Sequence, residues 1–117
     1  MSTNWSDDIV ISELSDEPAL SEELSSLIDS ARGREDAAVP HVVLNFASVT
    51  YVNSSNLAQL LKLRGALAES GRQVCLCGVS EDVWNVLKVS RLDQLFRIAP
   101  DPMTALASIQ MDDSPRR

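Results

Sequence analysis

The sequence predicts an α/β fold, a single domain whose mostly parallel central sheet of about four strands is covered by four amphipathic helices. Three observations carry this. Short β-rich runs alternate with longer segments of helical periodicity. The strongest strand candidate, His41-Val42-Val43-Leu44-Asn45-Phe46, is apolar almost throughout, as a strand buried on both faces should be. And 117 residues with 44% hydrophobic content can bury one core without disulfides or a metal.

Taken in order, residues 1–8 read as an N-terminal tail, residues 9–110 as the domain and residues 111–117 as a polar C-terminal tail. Ile9-Val10-Ile11 is a short strand candidate, and Pro18 opens a helix, where its missing amide is tolerated. Leu20, Leu24, Leu27, Ile28 and Ala31 give that helix one buried stripe, opposite a wet face of Ser21, Glu22, Ser25 and Asp29. The polar stretch 32–40 is a surface connection, with Gly33 as a helix stop and Pro40 placed before the central strand. A second helix begins at Ser54 or Ser55 and runs to about Gly71, burying Leu57, Leu60, Leu61, Leu63, Ala66, Leu67 and Ala68. Residues 73–79 form the next strand. Ser80, followed by Glu81 and Asp82, then caps a helix whose inner face holds Val83, Val86 and Leu87, with Leu92 after a break and Trp84 packed there or along its edge. Leu95-Phe96-Arg97-Ile98 is the last strand, and Asp101-Pro102 opens a last helix through Met103, Leu106, Ala107 and Ile109. Val42, Leu44, Val74, Leu76 and Ile98 are the expected sheet interior.

Composition narrows the function. A formal net charge of -7 disfavours nucleic acid and anionic membrane surfaces, since a polyanion rewards clustered Lys and Arg. The first basic residue is Arg32, so the N-terminal quarter is wholly acidic. No run approaches the roughly 20 apolar residues that span a bilayer, and the polar start lacks the basic and apolar regions of a signal peptide. A cytoplasmic protein is expected. Cys75 and Cys77 lie two apart in an apolar strand and point to one face. A zinc site needs more ligands, His41 is the only histidine, and a thioredoxin-like pair needs two intervening residues. The cysteines are therefore expected to be buried, reduced core thiols, and His41 a strand-edge residue. With no phosphate loop, nucleophile motif or metal cluster, a non-catalytic protein without cofactors is expected.

The informative segment is Val49-Thr50-Tyr51-Val52-Asn53-Ser54-Ser55-Asn56-Leu57, where an extended run breaks into four small polar residues that open a leucine-rich helix. Asn53, Ser54 or Ser55 can each cap that helix by accepting a bond from a first-turn amide, a purely structural role. An exposed serine there also suits a phosphate, because free amides and the helix dipole favour an anion.

Residues 42–110 resemble the STAS domain of anti-sigma factor antagonists. In that family a strand ends in a hydrophobic-Asp-Ser-Ser/Thr-Gly-Leu turn that starts a helix, and the equivalent is Val52-Asn53-Ser54-Ser55-Asn56-Leu57. The helix Val83-Trp84-Asn85-Val86-Leu87-Lys88 is in register downstream. So is Ser90-Arg91-Leu92-Asp93-Gln94-Leu95-Phe96, which is similar to the family's GL-D-LF segment. Upstream, Ser12-Glu13-Leu14-Ser15 and Pro18-Ala19-Leu20 are more distantly similar to the Gly-Glu-Leu-Asp turn and the helix after it. The resemblance implies a switch. An anti-sigma factor that is a serine kinase of the histidine-kinase-like ATPase type phosphorylates the first serine, a phosphatase reverses this, and the dephosphorylated form binds the kinase so that sigma factor is released. By position the acceptor is Ser54, with Ser55 as the fallback, and Asn53, Ser54, Ser55 and Asn56 form the partner-binding surface. Two substitutions depart from the pattern. Asn53 replaces the family's aspartate and removes a charge beside the acceptor, while Asn56 replaces its glycine and is expected to add a side chain to the docking surface. The domain also reads as short at the N terminus, with little room for the family's extra first strand. The substitutions Asn53 and Asn56 favour the alternative, a STAS-type scaffold or regulatory interaction module without phosphorylation, whereas the downstream Leu92 to Phe96 match favours the antagonist.

Overall fold

The computed structural model describes residues 2–6, 8–33 and 39–113. Five strands form one sheet in the order β1 (Ser2–Ser6), β2 (Ile9–Ser15), β3 (His41–Ser48), β4 (Val74–Cys77) and β5 (Arg97–Ala99). The helices are α1 (Ala19–Arg32), α2 (Ser54–Glu69), α3 (Glu81–Val89) and α4 (Pro102–Asp113). Strands β2 to β5 are parallel, which is the four-strand parallel sheet expected from the hydrophobic pattern.

Two boundaries need correction. Ser2–Ser6, assigned above to a tail, is an edge strand that runs antiparallel to β2 and pairs Thr3 with Ile11 and Asn4 with Val10. The room for a first strand therefore exists, because a backbone ladder needs only N–H and C=O groups and not an apolar side-chain pattern. At the other end α4 continues to Asp113, so the helix takes up the first residues of the expected C-terminal tail. Residues 114–117 of that tail, and 34–38 of the expected surface connection, lie outside the described residues.

The strand order explains how the sheet is covered. Each parallel strand sits beside its predecessor, so right-handed crossovers that always step in one direction deliver their helices to one face. Leu20, Leu24 and Ile28 of α1, Leu60, Leu63 and Leu67 of α2, and Val83 and Leu87 of α3 all join one core with Val42, Leu44, Phe46, Val74 and Leu76. Helix α4 follows the last strand and is free of that constraint. Its Ala105, Leu106 and Ile109 cover the other face, against Ile9, Val43, Cys75 and Cys77. Of the expected sheet interior, Val42, Leu44, Val74 and Leu76 are buried and Ile98 is partly buried against the core.

Cys75 and Cys77 are free, and neither is exposed to solvent. Desolvation pushes the thiol of Cys75 up to about 11 and that of Cys77 up to about 12, so both are protonated at neutral pH. His41 is the first residue of β3, at the strand's edge as expected, and is fully buried, with its Nδ1 accepting from the amide of Gln73 at 2.9 Å. Trp84 lies at the margin of the larger core, as its place on α3 suggested.

The helix ends are closed locally. After α2, the Gly71 amide bonds Ala68 O at 3.0 Å and the Arg72 amide bonds Leu67 O at 2.8 Å, with Gly71 at φ +71. The Ser80 hydroxyl accepts from the Val83 amide and starts α3. That helix gives way to a 3-10 turn (Leu92–Gln94) through Arg91, the one non-glycine among the described residues with positive φ, at 65°. A left-handed residue with a Cβ carries a cost of roughly 1–2 kcal/mol that glycine escapes. Because Arg91 is exposed, Arg91→Gly should stabilise the chain by about 1 kcal/mol, read as a higher denaturant midpoint. A lowered midpoint would show that the arginine side chain contributes more than its backbone costs.

Candidate functional site

In a parallel sheet the loops leaving neighbouring strands lie side by side, so the segments after β2 and β3 meet at the carboxyl end of the sheet. Val49 and Val52, both buried, pin the connection after β3 and leave Tyr51 between them 64% exposed. The Thr50 amide and hydroxyl each donate to the Asp16 carboxylate at 2.8 Å, which ties the two loops together.

Asn53 has extended backbone and caps α2. Its Oδ1 accepts from the Asn56 amide at 2.9 Å, while Asn56 Oδ1 accepts from the Asn53 amide at 2.9 Å, closing a reciprocal capping box. The other end of the Asn56 carboxamide reaches α1. Its Nδ2 donates to Glu17 at 2.8 Å and contacts Ser21 Oγ at 3.3 Å. Glu17 also accepts from the Ser21 amide at 2.8 Å and from the Ser21 hydroxyl. Gln59, one turn further along α2, donates to Ser21 O at 3.1 Å and to Ser25 Oγ at 3.0 Å. The starts of α1 and α2 are thereby laced together. Ser54 and Ser55 occupy the first two positions of α2, are exposed, and bond no other described residue through their hydroxyls.

The family model for the STAS domain matches residues 11–105, a span that runs from β2 into α4 and contains the whole of this turn. The chain belongs to the STAS domain family. As a STAS domain it is 35% identical, over 57 residues, to a STAS-domain containing protein of Pseudomonas aeruginosa. That match covers 49% of this chain and 56% of the relative, so only about half the length of the curated relative is spanned. Among solved structures it is similar to an anti-sigma-factor antagonist (STAS) domain protein of Planctomyces limnophilus. The TM-score is 0.78 at 17% identity, over 94% of this chain and 97% of that one. It is also similar to the Bacillus cell fate determinant SpoIIAA in its phosphorylated form, with a TM-score of 0.71 at 17% identity over 93% and 97% of the two chains. At these identities the likeness is one of fold.

Of the four turn residues singled out in the sequence, the STAS fold presents Ser54 and Ser55 to solvent, half-buries Asn53 and buries Asn56 completely. Asn56 was expected on the docking surface. It is instead a structural residue, because its carboxamide is consumed by the cap and by Glu17. Asp16, Glu17, Ser21, Thr50 and Gln59 build the site without having been singled out for it. The carboxylates placed just before Pro18 were the available signal.

Hydrogen bonds from Thr50, amide first, hold the Asp16 carboxyl below its ordinary range, and those from Ser21 and Asn56 do the same for Glu17. No cluster of three potential metal ligands occurs among the described residues, and no helix among them is long and apolar enough to cross a membrane. What the site offers is an accessible hydroxyl pair on a helix start fixed from beneath.

Two outcomes follow from this brace. Asn56→Gly, which restores the family residue, removes the box and the link to α1 and should cost about 2 kcal/mol. An unchanged denaturant midpoint would show that the bonds are replaced by water without loss. The second outcome concerns pH. Both carboxyls titrate lower when folded than when unfolded, so their contribution is full above the ordinary carboxylate range and is lost as pH falls through the lower folded values. The amide resonances of Thr50 and Ser21 should therefore titrate with midpoints below the ordinary carboxylate values. Midpoints at or above the ordinary carboxylate values would show that neither carboxylate carries the bonds assigned to it.

Proposed function

We propose that this STAS domain is a non-catalytic cytoplasmic regulator that binds a kinase-type anti-sigma factor through the surface around Ser54. Phosphorylation of Ser54 switches it off and a phosphatase restores it, so that sigma factor is released when the serine is free. The observation that carries the reading is an exposed Ser54 hydroxyl, bonded to no other described residue, at the first position of α2 in the turn equivalent to the family's acceptor motif. Ser55 is the fallback acceptor. Support also comes from the fold shared with a protein solved in its phosphorylated form.

The physics of such a switch needs no catalytic group in this chain. A phosphate adds about -1.5 to -2 charges, and the α2 N-terminus tolerates it because first-turn amides and the helix dipole favour an anion. The brace under the turn is formed by Asn53, Asn56 and Glu17, not by the serine, so the fold survives while the interface changes. A partner shaped for a neutral hydroxyl meets repulsion and desolvation, and a loss of about 3 kcal/mol weakens binding more than a hundredfold. Tyr51, exposed beside the turn, supplies an aromatic contact of the kind that anchors interfaces.

The test is incubation with the cognate histidine-kinase-like serine kinase and ATP, followed by mass spectrometry and binding measurements. Phosphate should appear on Ser54. Ser54→Asp should fold normally and bind at least tenfold more weakly, whereas Ser54→Ala should bind nearly as wild type and accept nothing. Asn53→Asp should raise kinase turnover if the missing charge has blunted recognition. No phosphate on Ser54 or Ser55 in either background, together with undiminished binding by Ser54→Asp, would replace the switch with the scaffold reading.

A further inference from the structure

Helix α4 covers the face of the sheet opposite to α1, α2 and α3, and its composition differs from theirs. Residues 102–111 include no Asp, Glu, Lys or Arg, in a chain of which 23% is charged. The other helices carry exposed charges, such as Glu22 and Asp29 on α1, Lys62 and Glu69 on α2, and Asp82 and Lys88 on α3. That is the ordinary pattern of a helix with one side in water, whereas a helix without a charged side is ordinarily covered all round. In α4, Ala105, Leu106 and Ile109 pack on the sheet, yet Met103 and Met111 are 64% and 71% exposed. Thr104, Ala107 and Gln110 are exposed between them.

This outer face is symmetric about its middle. Ala107 stands at the centre, with Met103 and Met111 four positions before and after it, about 40° to either side on a helix of 3.6 residues per turn. Thr104 and Gln110 stand three positions before and after it, about 60° to either side. A second copy of α4 running antiparallel across Ala107 therefore sets Met103 against Met111 of the other copy, and Thr104 against Gln110, in both directions at once. Such self-complementarity is what a two-fold interface requires. The small central side chain lets the two axes approach to about 8 Å, and antiparallel packing opposes the two helix dipoles. Charge points the same way, because two copies of net charge -7 meet at least electrostatic cost through a face that carries no ionised group.

We propose that α4 is a self-association face, through which two copies of this chain form a two-fold dimer with their α4 helices antiparallel across Ala107. Residues 102–111 span about 15 Å of helix, which is less than a standard interface requires, so the dimer is a weak one with a dissociation constant on the order of 100 µM. Methionine suits such a contact, since its flexible thioether adapts to the side chain opposite. The inference is separate from the reading of Ser54. Helix α2 packs on the other face of the sheet, so the dimer leaves the start of α2 uncovered in both copies.

The test is sedimentation equilibrium of the full chain from about 10 µM to about 1 mM. A reversible monomer–dimer equilibrium is expected, and it should strengthen as salt rises from about 0.02 M to about 0.3 M, because screening relieves the repulsion between two acidic copies. Ala107→Arg and Met111→Lys should each weaken association at least tenfold. Val89→Lys, which removes a still more exposed apolar side chain from α3, should leave it unchanged. All three positions are exposed, circular dichroism of each variant verifies folding, and two α4 variants keep the test decisive if one fails to fold. Orientation is read from cross-linking. Met103→Cys and Met111→Cys chains, mixed and oxidised, should join to each other, whereas Met103→Cys alone should not, since its two copies lie about 12 Å apart along the antiparallel pair. A chain that stays monomeric at the highest concentration would give the face to a different occupant and overturn the proposal. So would association that salt weakens, an equal effect of Val89→Lys, or Met103→Cys joining to itself as readily as to Met111→Cys.

Discussion

Asn56 is fully buried three residues into α2, and every polar atom of its side chain is engaged. The carbonyl end closes the cap with Asn53 and the amide end bonds Glu17, so one carboxamide fixes the start of α2 both to its own backbone and to α1. A buried amide left unsatisfied costs about as much as the bonds it could have made, which makes the arrangement nearly all-or-none. The exposed serines need no bond of their own because their position is set from below. A hydroxyl tied into the cap would be committed to that bond, whereas the Ser54 hydroxyl bonds no other described residue.

That brace exists only because of the sheet. Glu17 and Ser21 lie 39 and 35 residues from Asn56, and they meet it because β2 and β3 are parallel neighbours whose carboxyl ends emerge together. The monotonic strand order then places α1 and α2 side by side on one face, where their polar first turns face each other across the gap. Gly78 closes the same edge. It sits at φ +65, and a Cβ there would lie 2.7 Å from Asn45 Oδ1, the atom that accepts from the Ala47 amide near the end of β3.

The parts of this that were legible in the sequence are those governed by apolar periodicity. The stripe of α1, the doubly covered β3, the Ser80 cap and the alternation that sends Val74 and Leu76 one way and Cys75 and Cys77 the other were all readable, because burial writes them locally. Strand β1 was not, since an edge strand of Ser, Thr, Asn and Trp is held by backbone bonds to β2 and carries no alternating pattern. The end of α4 was missed for a related reason, as Met111 is exposed and signals neither helix nor tail. At the site, Ser54 and Ser55 were found from the turn itself, while the burial of Asn56 was hidden because its partners are distant in sequence. An Asn-x-x-Asn spacing is compatible with a capping box, but only the neighbouring helix shows why the second asparagine cannot face outward.

The two departures from the family turn also form a single device. Asn53 and Asn56 exchange bonds in both directions, and neither can be assessed alone. With glycine at position 56 there is no side chain to reach back, and the cap would rely on position 53 only. With asparagine there, the Asn53 amide and Glu17 both gain a partner. Two carboxylates, Asp16 and Glu17, already sit in this part of the surface, each held ionised by the bonds it accepts. A third at position 53 would add repulsion where the neutral amide adds none, since Asn56 bridges position 53 directly to Glu17. The neutral Asn53 is therefore matched to the Glu17 brace that Asn56 completes. The same pairing that departs from the family pattern preserves the geometry of the first turn, and with it the exposure of Ser54.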